Sequence, residues 1–362
     1  MKIGIDALFL RPGKTRGIER VARGLIRGLS GGDDDVVVYA GAEGTGEGGR
    51  FRERRAPFSS GNRAARIAFQ QAGLGVMASK DGLDVLFCPA NLCPPVSFRP
   101  SAVMIHDLAP LRFPKDFPFR ERLFWRALWP FSVRAARLVL TVSEHSAKEV
   151  ARTFGIAGSK VRVVHPGVDE CFFFSRESPA QAQPKEILCV SKNAGYKNLD
   201  GLFFAGAILA QRMKADFNLV IAGIEETDRP GVEARASRLW PGGRLRFTGP
   251  LTDAELAARY RRAAMLVNPS FYEGFGLPVL EAMACGTPVV ASGALSEAAG
   301  DAALLFSPDD PAEMAAAMER VLSDPELAAR LREKGKKRAG LFPWDKAVRG
   351  VASALHEAAR RG

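Results

Sequence analysis

The chain has 362 residues, of which 47% are hydrophobic and 25% charged, which is the composition of a globular protein too long for one ordinary core. With 51 basic and 40 acidic residues the formal charge is +11, which favours nucleic acid, an anionic membrane or an anionic small substrate as partner, or is simply a basic surface. No apolar run approaches the roughly 20 residues that span a bilayer, and the five scattered cysteines argue against a disulfide framework or zinc knuckle and fit a reduced cytoplasm.

Short apolar runs rich in β-branched residues alternate with amphipathic segments along the chain. Such nearly continuous runs are typical of parallel strands covered by helices on both faces. The first run lies in MKIGIDALFL, which we interpret as a strand and not as a signal peptide because no small-residue cleavage site follows. The predicted strands of the first half are 2–5, 36–40, 85–87, 102–105, 138–142 and 161–164. Those of the second half are 187–190, 219–222, 245–247, 265–267, 289–291 and 304–306.

Two such sets of strands predict two doubly wound α/β domains. The segment 174–185 (FSRESPAQAQPK) has two prolines and no hydrophobic periodicity, so we interpret it as the linker. We therefore expect an N-terminal domain over 1–172 and a C-terminal domain over 186–343.

Two further segments have a distinct composition. Residues 41–49 (GAEGTGEGG) are rich in glycine, and we interpret them as a mobile loop. The last segment, 344–362, predicts a helix with Trp344, Val351 and Leu355 on one face. We expect this helix to return to the N-terminal domain.

The segment with the clearest chemical pattern is 268–292, NPSFYEGFGLPVLEAMACGTPVVAS. It follows a predicted strand, two glycines flank Phe275, and Pro278 stands at the start of a helical pattern. A strand, a glycine loop and a helix N-terminus in this order form an anion site at the carboxyl end of a parallel sheet. Glu273 and Glu281 would repel a diphosphate but accept hydrogen bonds from hydroxyl groups. Either glutamate alone could be a solvated or helix-capping acid, but the whole segment favours a nucleotide-sugar site.

This segment resembles the donor-binding signature of family 4 retaining glycosyltransferases. These enzymes have the GT-B fold, in which two Rossmann-like domains face a central cleft. Glu273 and Glu281 match their E-x7-E pattern. Less specific similarities extend over nearly the whole chain, at 16–20 (RGIER), 105–108 (IHDL), 141–144 (TVSE) and 164–169 (VHPGVD).

The resemblance implies roles for individual residues. Glu281 would bind the donor ribose and Glu273 the hydroxyl groups of the transferred sugar. Lys197 and Lys192 would neutralise the diphosphate, although Lys192 stands where the family usually has an arginine and is therefore a point charge and not a bidentate fork. His106, which follows a predicted strand and should face the cleft, would contact the donor sugar, so His106 and Glu273 are the catalytic candidates. The other implied donor contacts are Gly17, Leu251, Gly274, Phe275, Gly276 and Leu277. Without the resemblance, an isolated lysine or histidine is more often a solvated or core residue.

The resemblance also implies the type of reaction. The anomeric configuration of the sugar would be retained, and we infer front-face attack with the donor phosphate assisting deprotonation of the acceptor. We identify no side-chain base, expect no metal ion, and expect no cofactor apart from the nucleotide-diphosphate sugar as co-substrate. Similarity to polysaccharide mannosyltransferases makes GDP-mannose the first candidate donor, followed by UDP-sugars and other sugar nucleotides. The expected acceptor is a glycan or a lipid-linked glycan of polysaccharide or lipopolysaccharide biosynthesis.

The segment 112–137 combines seven basic residues with seven aromatic ones. Three interpretations are open: a helix at a lipid headgroup surface, a stacking platform for single-stranded nucleic acid, or an ordinary helix whose aromatic face packs on its own core. A second basic cluster lies at 50–66. The first interpretation leads us to expect a cytoplasmic protein in peripheral contact with the anionic inner face of the plasma membrane.

Three other functions can be compared with the same sequence. An oxidoreductase would need G-x-G-x-x-G after the first strand, and residues 8–18 lack it. A GT-B nucleotide-sugar epimerase or a sugar phosphorylase could use similar glycine loops and remains the alternative. A nucleic-acid-binding protein would fit the charge, but no recognised motif supports it, so we expect no nucleic-acid partner.

Overall fold

The computed structural model describes residues 1–13, 17–97, 99–173, 185–213 and 217–360. The first sheet contains β1 (Lys2–Asp6), β2 (Asp35–Ala40), β3 (Phe51–Arg55), β4 (Val85–Cys88), β5 (Ser101–Ile105), β6 (Leu138–Thr141) and β7 (Val161–Val163). The second sheet contains β8 (Lys185–Val190), β9 (Phe217–Ala222), β10 (Leu245–Thr248), β11 (Met265–Asn268), β12 (Val289–Ser292) and β13 (Leu304–Phe306).

Helices precede or follow nearly every strand. Those in the first half of the chain are α1 (Gly17–Ser30), α2 (Arg63–Ala72), α3 (Leu74–Lys80), α4 (Ala109–Arg112), α5 (Phe119–Ala135), α6 (Glu144–Phe154) and α7 (Glu170–Phe173). Those in the second half are α8 (Leu199–Arg212), α9 (Arg229–Leu239), α10 (Asp253–Arg262), α11 (Leu277–Ala284), α12 (Ser296–Ala299), α13 (Pro311–Ser323), α14 (Pro325–Ala339) and α15 (Trp344–Arg360). Within the described ranges, no helix is both long and apolar enough to cross a bilayer.

The chain divides into two compact units. Unit 1 comprises 1–167 and 343–362, and unit 2 comprises 168–342. The first boundary lies earlier than the expected end at 172, because the N–H of Val168 donates a hydrogen bond to the carbonyl of Phe342 at 2.9 Å. The predicted linker, 174–185, lies outside the described residues except for Lys185, which begins β8.

Both sheets are parallel throughout and have closely similar strand orders. The order is β3-β2-β1-β4-β5-β6-β7 in unit 1 and β10-β9-β8-β11-β12-β13 in unit 2. In each sheet the direction of winding reverses once, between β1 and β4 and between β8 and β11. Loops at the carboxyl ends of the two strands that flank such a reversal form the usual ligand site of doubly wound sheets.

All twelve predicted strands are present, and one strand was not predicted. This strand, β3, has the sequence FRERR and pairs with β2 at the edge of the first sheet. Its outer residues are charged, and Arg52 and Arg54 both bond to Asp81. Charged side chains are common on edge strands because they discourage pairing with other chains. A strand of this composition lacks the pattern of apolar residues by which strands are recognised in a sequence.

The interpretation of 41–49 as a mobile loop is wrong. Thr45 is buried, and its N–H donates a hydrogen bond to the Glu53 carboxylate at 3.0 Å. Arg23 of α1 donates to the Thr45 carbonyl at 2.9 Å and to Glu47 at 2.5 Å. The glycines allow the turns, but these polar contacts hold the segment against its own unit.

The C-terminal helix α15 packs within unit 1 against α1. Gly24 and Gly28 of α1 face Trp344 and Val348, and a Cβ atom at either glycine would clash with the facing side chain. Val351 on the same helix is fully buried. The two glycines, one turn apart, therefore allow the close approach of α1 and α15.

Candidate functional site

Two loops meet at the reversal point of the second sheet, one after β8 and one after β11. The N–H of Phe271 donates a hydrogen bond to the carbonyl of Tyr196 at 2.8 Å. The side chain of Asn198 caps α8 through the Gly201 N–H and donates to the carbonyl of Pro269 at 3.1 Å. The loops are thus fixed to each other by bonds from both backbone and side chain.

Lys197 and Glu273 form a salt bridge across these two loops. The distance from Nζ to Oε1 is 2.7 Å, and the two side chains are 15% and 13% exposed. The hydroxyl oxygen of Ser270 lies 2.9 Å from the same carboxylate oxygen and 2.8 Å from the side-chain oxygen of Asn268, and its one proton can bond to either. This network holds the carboxylate in one orientation at the carboxyl end of β11.

The ring of Tyr196 brings the two predicted phosphate-binding lysines together. The Nζ atom of Lys192 lies 5.3 Å from the ring centroid and that of Lys197 lies 5.1 Å from it. Both distances are within the range of cation–π attraction. Both cations therefore lie against one aromatic ring at the reversal point of the second sheet.

The glycine loop leads directly into α11. Gly276, the residue before the helix, has a φ of 105°, and a Cβ atom there would clash with Leu295. The helix begins at Leu277, and Pro278 is its second residue, slightly later than the first position that the sequence suggested. Its N-terminal end, with its positive dipole, lies directly after the loop that carries Glu273.

Glu281 lies deeper than the sequence suggested. It is in the second turn of α11 and not in the first, and the residue is 2% exposed. One carboxylate oxygen accepts a hydrogen bond from the hydroxyl of Tyr260 at 3.0 Å. The ring of Phe172 packs edge-on against Tyr260, with 6.1 Å between centroids. The predicted contact of Glu281 with ribose stays a prediction.

Unit 1 carries the two remaining predicted contacts, His106 and Gly17. His106 follows β5 and is buried, and its Nε2 atom lies 2.7 Å from the carbonyl oxygen of Pro89. Burial lowers the pKa of this imidazole below its ordinary value of 6.5. Gly17 begins α1, and a Cβ atom there would meet no atom within 4 Å, so packing among the described residues does not require glycine at this position.

The structure brings together only some of the predicted site residues. Lys192, Lys197, Glu273 and 274–277 share the reversal point of the second sheet. Leu251 follows β10, which is separated from β8 by β9. Within the part of the chain described, no group of three or more His, Cys, Asp or Glu side chains is placed to hold a metal ion.

Three residues of this site were missed from the sequence: Tyr196, Asn198 and Ser270. Asn198 had a recognisable signal, since an asparagine directly before an apolar helical run is a common N-cap. The other two act through neighbours in the chain, Tyr196 through the two lysines and Ser270 through Glu273, but a single tyrosine or serine in a loop is not a recognisable signal.

Comparison with family models gives two adjacent matches. The model described as Glycosyltransferase Family 4 matches residues 15–171. The model described as Glycosyl transferases group 1 matches residues 172–338. Together the two models account for nearly the whole chain, and their common border lies close to the boundary between the two units.

Curated proteins similar in sequence include two mannosyltransferases. The O-antigen chain mannosyltransferase B of Escherichia coli is 29% identical over 280 residues, which are 74% of this chain and 73% of that protein. The MMP alpha-(1->4)-mannosyltransferase of Mycolicibacterium hassiacum is 33% identical over 246 residues, which are 66% of this chain and 59% of that protein. The chain thus spans less than two thirds of the second relative.

Solved structures similar over their whole length include a sucrose-phosphate synthase and a protein in complex with UDP-glucose. Sucrose-phosphate synthase from Thermosynechococcus elongatus has a TM-score of 0.79 at 20% identity, with 100% of both chains covered. Anabaena Alr3699/HepE in complex with UDP-glucose has a TM-score of 0.76 at 19% identity, with 99% of this chain and 100% of that one covered. At such identities the likeness concerns the fold alone, and it confirms the predicted GT-B class.

Proposed function

Because the chain belongs to the group 1 and family 4 glycosyltransferases, we propose that it transfers a sugar from a nucleotide-diphosphate sugar to an acceptor. Unit 2 would bind the donor and unit 1 the acceptor. The observation that carries the proposal is the salt bridge between Lys197 and Glu273, with Lys192 against the same Tyr196 ring as Lys197. Cations suit phosphates and the carboxylate suits sugar hydroxyls, so one small region has the chemistry that both halves of such a donor need.

The chemistry follows from these charges. Lys192, Lys197 and the N-terminal end of α11 would stabilise the negative charge that develops on the leaving diphosphate. Glu273 would accept hydrogen bonds from the transferred sugar, and His106 would contact the same sugar. The reaction would proceed with retention by front-face attack, with the donor phosphate taking the acceptor proton and without a metal ion. Gly17, Leu251, Phe275 and Glu281 complete the proposed donor contacts.

GDP-mannose is the first candidate donor. The names of both curated relatives contain mannosyltransferase, which supports mannose as the sugar. The structural neighbour in complex with UDP-glucose keeps UDP-sugars as the next candidates. The name of the Escherichia coli relative supports a glycan or lipid-linked acceptor in polysaccharide or lipopolysaccharide biosynthesis.

Peripheral contact with an anionic membrane is the second part of the proposal, and α5 supports it. The large apolar residues of this helix divide between two faces: Trp129 is buried and stacks on Trp125, whereas Phe119, Leu123 and Phe131 are 69%, 58% and 59% exposed. The exposed three are spaced by four and eight residues, so they lie along one side of the helix. Exposed arginines at 120, 126 and 134 accompany them. An apolar stripe with adjoining basic side chains suits anionic lipid headgroups.

The enzymatic proposal is tested by donor binding and product analysis. Thermal shifts should be screened across GDP-, UDP-, ADP- and dTDP-sugars, and the best donor then incubated with glycan and lipid-linked acceptors. A glycosylated acceptor supports the proposal, whereas an epimerised nucleotide sugar or a sugar phosphate would support an epimerase or a phosphorylase instead. Lys334→Ala, in unit 2 but in an exposed pair with Asp301, is the control for Lys197→Ala: only the latter should abolish the shift.

A further inference from the structure

The excess of basic residues is confined to unit 1. This unit contains 30 basic and 17 acidic residues, whereas unit 2 contains 21 basic and 23 acidic ones. The formal charges of the two units are therefore +13 and −2. An anionic partner is attracted to the unit with the positive field, so we searched unit 1 for a place where an anion could bind.

Gln70 of α2 marks the reversal point of the first sheet. This side chain is buried, and its Nε2 atom donates a hydrogen bond to the carboxylate of Asp6 at the end of β1. The same atom lies 3.4 Å from the carbonyl oxygen of Leu92, in the loop after β4. The winding of the sheet reverses between β1 and β4. This face of α2 therefore lies where doubly wound sheets usually bind their ligands.

Arg66 lies on the same face of α2, one helical turn before Gln70. Its side chain is half-buried, and none of the described residues accepts a hydrogen bond from its guanidinium. Burial lowers the pKa of this guanidinium, and the charges of Arg63 and Arg11 lower it further. An arginine stays charged in a protein and carries five N–H donors. A half-buried cation at the reversal point thus keeps its donors for a ligand.

Arg63 and Arg11 are held near Arg66 by contacts of their own. The guanidinium of Arg63 forms a salt bridge with Glu121 of α5 at 2.6 Å. The carbonyl of Arg11, in the loop after β1, accepts a hydrogen bond from Arg23 at 2.6 Å. Three cations therefore act on one another at the edge of the sheet, an arrangement that an anion would stabilise.

Two carboxylates also act on Arg66, those of Asp6 and Glu19. Asp6 is buried and already accepts hydrogen bonds from Gln70 and from the N–H of Leu8. Glu19 is in the first turn of α1, on another element. Neither carboxylate accepts a hydrogen bond from the guanidinium of Arg66, so the two acids reduce the positive field without occupying its donors.

We propose that Arg66, assisted by Arg11 and Arg63, binds a phosphate group, and that this phosphate is carried by the acceptor. The planar guanidinium matches two oxygens of a phosphate in a bidentate pair. A half-buried position suits a single phosphate that reaches into the unit, in contrast to the exposed stripe of α5. The acceptor as carrier rests on the proposed glycosyl transfer, whereas the phosphate site itself rests on unit 1 alone.

The phosphate site is tested without any sugar transfer. Equilibrium dialysis with inorganic phosphate is carried out in a Lys197→Met background, in which the proposed donor site is weakened. We expect the dissociation constant for phosphate to rise about 10- to 100-fold when Arg66→Gln is added, because a charge-assisted pair is lost. Arg66→Lys keeps the charge but not the fork, so its loss of affinity should be smaller.

The matched control is Arg152→Gln in the same background. Arg152 is an exposed arginine near the end of α6 in the same unit, so this variant removes the same charge away from the reversal point. Its affinity for phosphate should be unchanged. Equal losses in Arg66→Gln and Arg152→Gln would overturn the site. Loss of all phosphate binding in Lys197→Met alone would overturn it as well, because the ion would then bind only to unit 2.

The acceptor role is tested with the acceptor that product analysis identifies. At saturating donor, inorganic phosphate should inhibit transfer in competition with the acceptor. Arg66→Gln should raise the KM for the acceptor about 10- to 100-fold while kcat changes less than about threefold. An unchanged KM, or inhibition that added acceptor does not relieve, would overturn the acceptor role.

A lipid headgroup is the other source of a phosphate. Flotation of Arg66→Gln with phosphatidylglycerol liposomes should therefore match that of the wild type. Reduced flotation would assign the site to headgroups and overturn the acceptor role. A wild-type protein that transfers sugar to no acceptor would instead refute the proposed function and leave the dialysis result standing.

Discussion

Lys197 and Glu273, which lie 76 residues apart in the chain, neutralise each other through a salt bridge of 2.7 Å. The cation proposed for the donor phosphate and the carboxylate proposed for the donor sugar are therefore one electrostatic unit. A substitution at either position changes the charge available to the other. Substitutions of Lys197 and of Glu273 should therefore affect nucleotide binding and turnover differently.

Substituting the two partners should have opposite effects on binding of a nucleoside diphosphate. Lys197→Met removes a charge-assisted bond of about 1.5–3 kcal/mol to phosphate, so the dissociation constant should rise about 10- to 100-fold. Glu273→Gln frees Lys197 and should leave this affinity unchanged or improve it, while kcat falls about a hundredfold. Calorimetry with GDP and UDP, together with kcat for the best donor, measures both effects. Equal weakening of binding by the two variants would contradict the assignment, and full activity of Glu273→Gln would remove Glu273 from the site.

Gly276→Ala should destabilise unit 2. The residue has a φ of 105° and its Cβ atom would clash with Leu295, so backbone strain alone should lower the free energy of unfolding by about 1–3 kcal/mol. Gly231→Ala is the matched control, because that glycine lies within α9 and a Cβ atom there meets nothing within 4 Å. The control should be stabilised by about 0.5–1 kcal/mol, since alanine is the better helix former. Both variants are unfolded with denaturant, and similar midpoints of unfolding for Gly276→Ala and Gly231→Ala would contradict the prediction.

Asp6→Asn should make the protein more stable at neutral pH. Asp6 is buried at the end of β1 and bonds to Gln70, and burial raises its pKa from 3.8 to about 6. A raised pKa means that folding favours the protonated form of Asp6. The contribution of this form to the free energy of unfolding is fully present below pH 4 and is lost as the pH rises through 6. A shift of about two units corresponds to about 3 kcal/mol. The variant should exceed the wild type by up to that amount at pH 7 and match it near pH 4, as measured by urea unfolding at both pH values. If the variant and the wild type differed in free energy of unfolding by the same amount at both pH values, titration of Asp6 would not be the cause.

The exposed stripe of α5 should determine membrane binding. Leu123→Glu combined with Phe131→Glu removes apolar area and adds negative charge, so flotation with anionic liposomes should be lost. Phe204→Glu is the control, because Phe204 is 47% exposed on α8 in the other unit. The wild type should float with anionic vesicles at low salt and less at high salt. If neither high salt nor the double substitution reduced liposome binding, the exposed stripe of α5 would be excluded as the membrane-binding surface.

The strand pattern of both sheets could be predicted because parallel strands buried on both faces are continuous apolar runs. The strand β3 does not follow this rule, since it lies at the edge of the sheet and all its residues after Phe51 are charged. The segment 41–49 was misjudged for a related reason. Glycine content describes the turns it can make, but not the bond from Arg23 that anchors it.

Around the candidate site, the sequence predicted the order of secondary-structure elements better than the placement of side chains. The order of strand, glycine loop and helix around Glu273 could be predicted, because an apolar run, two glycines and a proline are local signals in the chain. The depth of Glu281 could not be inferred from spacing, since it depends on the bond to Tyr260 in another helix. The pairing of Lys197 with Glu273 was likewise hidden, because it joins two strands that are neighbours only in the folded sheet.

The packing of α15 against α1 has a consequence for synthesis on the ribosome. Unit 2 is one continuous stretch of chain, whereas unit 1 needs residues from both extremes of the sequence. Domains usually fold in the order in which they emerge. Here the groove of Gly24 and Gly28 must wait for Trp344 and Val348, so the half of the protein that is translated first is the last to complete its hydrophobic core.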